Sequence, residues 1–329
     1  MRFLLALMIA LSSFTASASE YGFAEWVYGF KQRAVQQGLH PQFLNSVFDN
    51  TNFLPRVIEL DQKQPEDKKT QKFIDYRRSV VSQKRIAEGR ERYRENKQLL
   101  DQIGMSFGVP PQYIVALWGI ETSYGKITGG FDTVSALATL AFEGRRAEYF
   151  EKELINALKI QQGGHSGTPR LTGSWAGAMG QSQFMPSSYL KYAVDWDRDG
   201  NSNIWTSQAD VFASIANYLR IEGWNRDLRW GREVIVPNSI PESEFGRDKM
   251  RPLSTWRQRG VFTSMQEKLP MPSDGSDPLA ALVAPDGRGG PTYLVYGNYN
   301  VIMHWNRSTY FATSVGLLAD AIASSSENQ

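Results

Sequence analysis

Hydrophobic residues recur at helical spacing over most of this chain. Between Tyr21 and Lys31 the apolar side chains follow one face of a helix, and Pro41 starts a second, short helix. The same spacing predicts helices within Phe73–Met105 and over Thr133–Phe142, Arg146–Ile160, Gln208–Ile221 and Ser308–Ala323. Short strands are predicted at Val234–Val236 and Tyr293–Tyr296, with Pro237–Asp286 largely loop and a few weak helical stretches. The pattern therefore predicts a mainly helical protein (α+β) with a small β-containing segment.

One predicted helix differs from the others because it is apolar on every side. Pro110-Pro111 places proline in its first turn, and no charge occurs from Ile114 to Ile120. Such a helix belongs in the protein interior. By contrast, the polar run from Asp61 to Gln71 predicts a solvated loop.

The first eighteen residues have the order of features found in a secretory signal peptide. Arg2 supplies positive charge, Phe3–Leu11 is apolar, and Ala16-Ser17-Ala18 offers small residues for cleavage. The apolar run is too short to cross a bilayer, which needs about 20 residues. We expect a mature chain that begins near Ser19 and is periplasmic and soluble. The alternative is a buried N-terminal helix.

Composition narrows the chemistry further. Lys+Arg of 36 against Asp+Glu of 34 gives a formal charge of +2, which argues against a nucleic-acid binder that neutralises many phosphates. The absence of Cys excludes disulfides, thiolate metal sites, Cys nucleophiles and a Cys-borne lipid anchor. The three His are far apart in the sequence and leave little for a histidine-rich metal site. The chemistry must therefore come mostly from carboxylates, hydroxyls, amides and aromatic rings.

Glu121 is the strongest candidate for catalysis. It ends the uncharged run and precedes Thr-Ser-Tyr-Gly, a sequence that stops a helix. Burial raises the pKa of a carboxyl, so Glu121 could remain protonated near neutral pH and act as a general acid. The alternative is a structural Glu that caps its helix end or pairs with an Arg. Asp132 is interpreted as a helix N-cap, and no second carboxylate stands out, although a two-carboxylate glycosidase needs one.

An acidic loop predicts a cation site. Carboxylates and amides alternate before and after a glycine turn, as in the first half of an EF-hand loop. The predicted ligands are Asp195, Asp197, Asp199, Asn201 and, replacing the usual closing Glu, Asp210. We expect a structural Ca²⁺ with no part in proton transfer. The alternative is a solvated turn held by Asx hydrogen bonds.

Several ordered blocks resemble the lytic murein transglycosylase B family. The resemblance is most specific from Phe73 to Trp224 and continues more loosely to Asp320. It is carried by ALWGIETSYG at Ala116–Gly125, ALATL at Ala136–Leu140, RRAEYF at Arg145–Phe150, SWAGAMGQSQFMPSSY at Ser174–Tyr189 and ANYL at Ala216–Leu219.

This resemblance implies a lysozyme-like core that cleaves the bond between N-acetylmuramic acid and N-acetylglucosamine in peptidoglycan without water. Glu121 matches the family's single catalytic acid, which would then act as a base toward the sugar's C6 hydroxyl and give a 1,6-anhydro end. No cofactor is needed for that catalysis. The matching substrate-binding positions are Tyr76, Ser174, Gln183, Phe184, Trp305 and Asn306, with Trp305 standing where the family has Tyr.

The resemblance also sets the expected organisation. We predict a signal peptide (1–18), an N-terminal helical lobe (19–105), a lysozyme-like catalytic core with the EF-hand-like loop (106–224) and a C-terminal segment (225–329). Peptidoglycan glycan strands are the expected partner, cell-wall synthesis proteins are further candidates, and neither nucleic acid nor a membrane span is expected. Alternatives are a hydrolytic muramidase and a non-catalytic peptidoglycan-binding protein.

Overall fold

The computed structural model describes residues 3–63 and 71–324, with side chains from Glu20 onward. The described helices are α1 (Phe3–Gln36), α2 (Pro41–Phe48), α3 (Pro55–Gln62), α4 (Phe73–Val80), α5 (Gln83–Glu95), α6 (Lys97–Phe107), α7 (Pro111–Thr122), α8 (Thr133–Glu143), α9 (Ala147–Gly163), α10 (Pro186–Tyr192), α11 (Gln208–Ile221), α12 (Leu253–Gln258), α13 (Gly297–Trp305) and α14 (Thr309–Ala323). The described strands are β1 (Phe131–Asp132), β2 (Thr172–Gly173), β3 (Gly231–Ile235), β4 (Arg251–Pro252), β5 (Phe262–Thr263), β6 (Leu279–Val283) and β7 (Thr292–Val295).

The helices with clear terminal signals begin and end close to their predicted residues. Helix α8 begins after Asp132, whose side chain accepts a hydrogen bond from the Ser135 backbone N–H at 2.8 Å. That is the N-cap geometry that the sequence predicts. The β-containing segment is larger than expected, because β4, β5, β6 and α12 lie in the run predicted to be mostly loop.

The chain forms two compact units, and each is assembled from two separated segments. The first contains Met1–Glu66 and Ile127–Val211, and the second contains Asp67–Lys126 and Phe212–Gln329. The expected domain boundaries follow the chain linearly and do not coincide with these units. The expected boundaries therefore stay a prediction.

In the first unit, α8 and α9 pack against each other, and α1, α3 and α10 pack around this pair. Asp61 is 1% exposed, so its assignment to a solvated loop is wrong. Its carboxylate accepts hydrogen bonds from the guanidinium groups of Arg145 and Arg146. Two guanidinium groups offset the cost of burying one carboxylate, which explains how a charge can lie in this core.

In the second unit, α7 packs against α5, α6 and α14. Beside this helical part lies a five-stranded antiparallel sheet with strand order β4-β6-β7-β3-β5. The fully buried Trp256 and Leu282 contribute to its core, and the Trp256 indole N–H donates to the Ala280 carbonyl at 2.8 Å. Helix α13 follows β7 directly and ends at Trp305, so the sheet positions the helix that carries Trp305.

Within the described residues, no helix combines the length and apolarity that a membrane crossing requires. The predicted leader, residues 1–18, lies outside the residues whose side chains are described.

Candidate active site

Glu121 lies in the last turn of α7, a helix whose residues from Tyr113 to Gly119 are all buried. The helix ends because Ser123 and Tyr124 adopt left-handed backbone conformations, with φ of 50° and 60°. Non-glycine residues rarely adopt this conformation, and it occurs preferentially at functional sites. The turn is further held by the Thr122 hydroxyl, which donates to the Trp118 carbonyl at 3.2 Å.

The ring of Tyr124 is wedged between α5 and α7. A Cβ atom at Gly119 would lie 2.5 Å from this ring, and a Cβ atom at Gly89 would lie 2.5 Å from its hydroxyl oxygen. The Tyr124 hydroxyl donates to the Arg85 carbonyl at 2.7 Å. The two glycines thus leave room for the Tyr124 ring, and the packed ring stabilises the turn that follows Glu121.

The Glu121 carboxyl is half-buried and has one hydrogen-bond donor within the described part of the chain. The indole N–H of Trp305 donates to its Oε1 atom at 2.8 Å. Burial raises the pKa of Glu121 to about 7, although the Trp305 hydrogen bond acts in the opposite direction. The carboxyl forms no ion pair with any described residue. A carboxyl in this state can donate a proton near neutral pH and take one back after ionising.

Tyr76 and Asn306 line a cavity of about 380 Å³ in the same unit as Glu121. The cavity is also lined by Gln71, Ser308, Tyr310 and Phe311. The rings of Tyr76 and Tyr310 lie 5.6 Å apart. The pKa of Tyr76 is raised, first by burial and then by the negative charge of Glu121. Aromatic rings, an amide and hydroxyl groups offer the apolar faces and hydrogen-bonding groups with which a cavity can hold a sugar.

Asp286 holds the helix that carries Tyr76, a role that sequence reasoning missed. Helix α4 has no side-chain cap at Lys72, and the Phe73 N–H instead donates to Asp286 Oδ1 and Oδ2 at 2.7 and 2.9 Å. The Tyr310 hydroxyl donates to Asp286 Oδ1 at 2.5 Å. The uncapped start of α4 is the signal that a distant acceptor was needed.

The other predicted substrate-binding residues, Ser174, Gln183 and Phe184, belong to the first unit. The Ser174 hydroxyl oxygen accepts from the Ala178 N–H at 3.1 Å. The Gln183 side-chain amide donates to the carbonyls of Thr128 and Gly180 at 3.0 and 2.9 Å. Phe184 is 2% exposed, so packing is its visible role. Their contacts with substrate stay predictions.

The acidic loop brings three of its five predicted ligands together. Carboxylate oxygens of Asp195, Asp197 and Asp210 lie within 4.8 Å of one another. Asp199 lies outside this cluster, and its Oδ1 accepts from the backbone and side-chain nitrogens of Asn201. Burial raises the pKa of the fully buried Asp210, and the charges of Asp197 and Asp195 raise it further. Three hard oxygen ligands at this spacing fit Ca²⁺.

A model of the family described as "Transglycosylase SLT domain" matches residues 22–320. The chain belongs to this SLT transglycosylase family. This match confirms the family and the enzyme class that the sequence predicts. The chain is a transglycosylase. The mainly helical, lysozyme-like fold is confirmed by the solved structures that it matches.

Three relatives of this SLT transglycosylase are informative. The membrane-bound lytic murein transglycosylase B of Escherichia coli K12 is 31% identical over 299 residues, covering 88% of this chain and 80% of the relative. SltB3 from Pseudomonas aeruginosa, solved in complex with NAG-anhNAM-pentapeptide, is 37% identical with a TM-score of 0.86, covering 91% of this chain and 79% of SltB3. The Escherichia coli lytic transglycosylase Slt35, solved in complex with calcium, is 30% identical with a TM-score of 0.75, covering 91% and 93% of the two chains.

Proposed function

We propose that this SLT transglycosylase cleaves the MurNAc–GlcNAc bond of peptidoglycan without water and leaves a 1,6-anhydromuramic acid end. The observation that carries the proposal is the state of Glu121, an acid with no ion-pair partner among the described residues and a pKa of about 7. A relative, SltB3, has been solved with a ligand that contains an anhydro sugar. Both observations favour chemistry that needs a single carboxyl.

The proposed reaction has two proton transfers. Protonated Glu121 donates its proton to the glycosidic oxygen while the bond from the anomeric carbon to that oxygen breaks. The resulting carboxylate then removes the proton of the C6 hydroxyl, whose oxygen closes the ring on the anomeric carbon. An intramolecular hydroxyl has a high effective molarity, so no enzymic nucleophile is required.

The substrate-binding roles also belong to this proposal. We assign Tyr76 and Asn306 to sugar contacts because they line the cavity beside Tyr310. Trp305 contacts the acid directly and holds its carboxyl. Ser174 and Gln183 are proposed to contact the glycan through their remaining hydrogen-bonding atoms, and Phe184 to support them by packing.

The decisive experiment weighs the products released from purified sacculi. We expect fragments that end in anhydromuramic acid and are lighter by one water than fragments with reducing ends. A hydrolytic muramidase would give reducing ends alone, and that result would reject the proposal. The same digest performed with Glu121→Gln identifies products made by a contaminating enzyme.

We also propose that Asp195, Asp197 and Asp210 bind a structural Ca²⁺, with Asp199 and Asn201 completing the loop. The clustered carboxylates support this, as does the calcium complex of Slt35. Bound Ca²⁺ would neutralise the charge around Asp210 and stabilise the first unit.

Adding Ca²⁺ in excess to metal-depleted protein should raise the Tm by several degrees, at about 2–4 °C per kcal/mol for a large domain. Asp197→Asn should remove most of this increase, whereas Asp248→Asn, an exposed carboxylate outside the cluster, should leave it unchanged. A Tm that is insensitive to Ca²⁺ in the unaltered protein would reject the site.

We propose that the protein is exported and is soluble in the periplasm. The signal-peptide pattern in residues 1–18 supports this location. Cell-wall synthesis proteins stay candidate partners there. N-terminal sequencing of protein from the periplasmic fraction tests the location, and a first residue near Ser19 is expected.

A further inference from the structure

The hydrogen bond between Trp305 and Glu121 is one-directional. An indole N–H can donate but has no lone pair with which to accept, whereas a phenol or aliphatic hydroxyl can do both. The Trp305 Nε1 atom lies 2.8 Å from Oε1 of Glu121. Oε1 must therefore be an acceptor whether the carboxyl is protonated or ionised.

The position of the indole ring is fixed by its surroundings. Trp305 is the last residue of α13, and its ring packs on Tyr218 with the ring centroids 4.6 Å apart. Tyr218 is 7% exposed and belongs to α11. This ring contact restrains the direction in which the indole N–H points.

We propose that Trp305 is a positioning residue that reserves Oε1 as a permanent acceptor and confines the transferable proton of Glu121 to Oε2. This inference rests on the proposed function and deepens it by naming the oxygen that works. The Oε2–H group gives its proton to the glycosidic oxygen, which also receives the electron pair of the breaking bond to the anomeric carbon. Oε2 then takes the C6 hydroxyl proton as that oxygen bonds to the anomeric carbon, which restores the starting acid.

The same hydrogen bond adjusts the acidity of Glu121. A donor to Oε1 binds the carboxylate more strongly than the neutral acid, so it favours ionisation and opposes the effect of burial. Without Trp305, the pKa of Glu121 should rise further. General-acid activity is lost as the pH rises through the pKa of the acid, so its alkaline limb should move to higher pH.

Several ionisable groups on the neighbouring elements have partners of their own. Arg85 donates to the Val80 carbonyl, Glu88 pairs with Lys126, and His304 pairs with Glu222. Among the other titratable groups on these elements, Asp101 on α6 pairs with Lys97 and Asp320 on α14 pairs with Arg229. The pKa of Tyr76 on α4 is raised in part by the charge of Glu121. None of these pairs includes Trp305.

Trp305→Phe tests the inference, and Trp256→Phe is its matched control. Both changes remove one indole N–H in the second unit, but the Trp256 N–H donates to a backbone carbonyl in the sheet core. In Trp305→Phe we expect the alkaline limb of kcat against pH to move up by about one pH unit and kcat to fall about tenfold, with little change in KM. Trp256→Phe should keep the limb of the unaltered protein, which falls above a pH of about 7.

Infrared titration of the carboxyl gives a readout that does not depend on turnover. Difference spectra against the Glu121→Gln form of each protein isolate the C=O stretch of protonated Glu121. Loss of the donor to Oε1 should move this stretch to higher wavenumber in Trp305→Phe. If the phenylalanine variant does not fold, 3-benzothienylalanine at position 305 keeps the ring shape without the N–H, and the same shifts are expected.

An alkaline limb and a C=O stretch that match those of the unaltered protein would overturn the inference, because a purely structural role moves neither. That result would leave the proposed function intact. Conversely, sacculi digests without anhydro ends would reject the proposed function, and the infrared titration would still decide which oxygen of Glu121 accepts from Trp305.

Discussion

Glu121→Gln should lower turnover on peptidoglycan by at least about 10²-fold, the usual effect of losing a general acid. Glutamine has nearly the same shape, and its carbonyl oxygen can still accept from the Trp305 N–H that lies 2.8 Å from Oε1. It cannot donate an acidic proton or accept one as a base. Turnover is measured as the release of soluble fragments from sacculi, with circular dichroism to confirm folding.

Glu148→Gln is the matched control, because the Glu148 side chain is 86% exposed and pairs with Lys152 on the surface of α9. It should retain the activity of the unaltered protein. If Glu121→Gln kept full turnover, the single-acid mechanism would be wrong. Unchanged glycan binding with no turnover before or after the change would instead identify a non-catalytic binding protein.

The stability of Glu121→Gln relative to the unaltered protein should rise with pH. Folding raises the pKa of this carboxyl from 4.5 to about 7, so between these values the folded protein binds more protons than the unfolded one. The stability contributed by the protonated form is present below pH 4.5 and is lost as the pH rises to about 7. The glutamine variant has no such loss and should be the more stable protein above pH 7, as urea denaturation at two pH values would show.

Gly119→Ala should lower turnover about 10²-fold and destabilise the protein by about 1–3 kcal/mol. The added Cβ would lie 2.5 Å from the Tyr124 ring. That ring cannot move away, since Gly89 and the Arg85 carbonyl hold it on the other side. The strain would therefore displace the turn at Ser123 and Tyr124 and, with it, the carboxyl of Glu121.

Gly29→Ala provides the comparison, because its added Cβ would meet no atom closer than 3.5 Å, at the flexible end of Arg33. Alanine favours the helical state by about 1 kcal/mol relative to glycine, so this variant should be as stable as the starting protein or more so. Thermal unfolding gives the Tm of each variant. Turnover is measured at a temperature where both variants are folded. Full turnover and an unchanged Tm in Gly119→Ala would show that the wedge of Tyr124 is not needed.

The sequence predicts the part of the site that depends on local pattern. Helix α7 could be located because Pro110-Pro111 marks its start and an uncharged run follows, and Glu121 stands out as the carboxyl that ends this run. Asp132 could be identified as an N-cap because it precedes the helix that it caps. In these cases the residues that determine the structure are neighbours in the chain.

Contacts between distant residues could not be predicted in the same way. Nothing near Trp305 indicates that its N–H meets Glu121, and Asp286 occurs in a Pro-Asp-Gly sequence that is typical of an ordinary turn. The full sheet is not predicted from the sequence, because a five-residue apolar run such as β6 is equally compatible with a helix. The burial of Asp61 is not predicted from the sequence, because the two arginines that neutralise it lie between α8 and α9, far along the chain.

The order in which the chain emerges during synthesis or export matters for two contacts described above, the one between Trp305 and Glu121 and the one between Asp286 and the start of α4. Glu121 meets its donor across 184 positions of sequence, and α4 receives its acceptor across 213. Contacts of such long range slow folding, since the entropy of closing the intervening loop must be overcome before they form. A nascent polypeptide stalled before position 286 would therefore carry Glu121 without the Trp305 donor and α4 without the Asp286 acceptor.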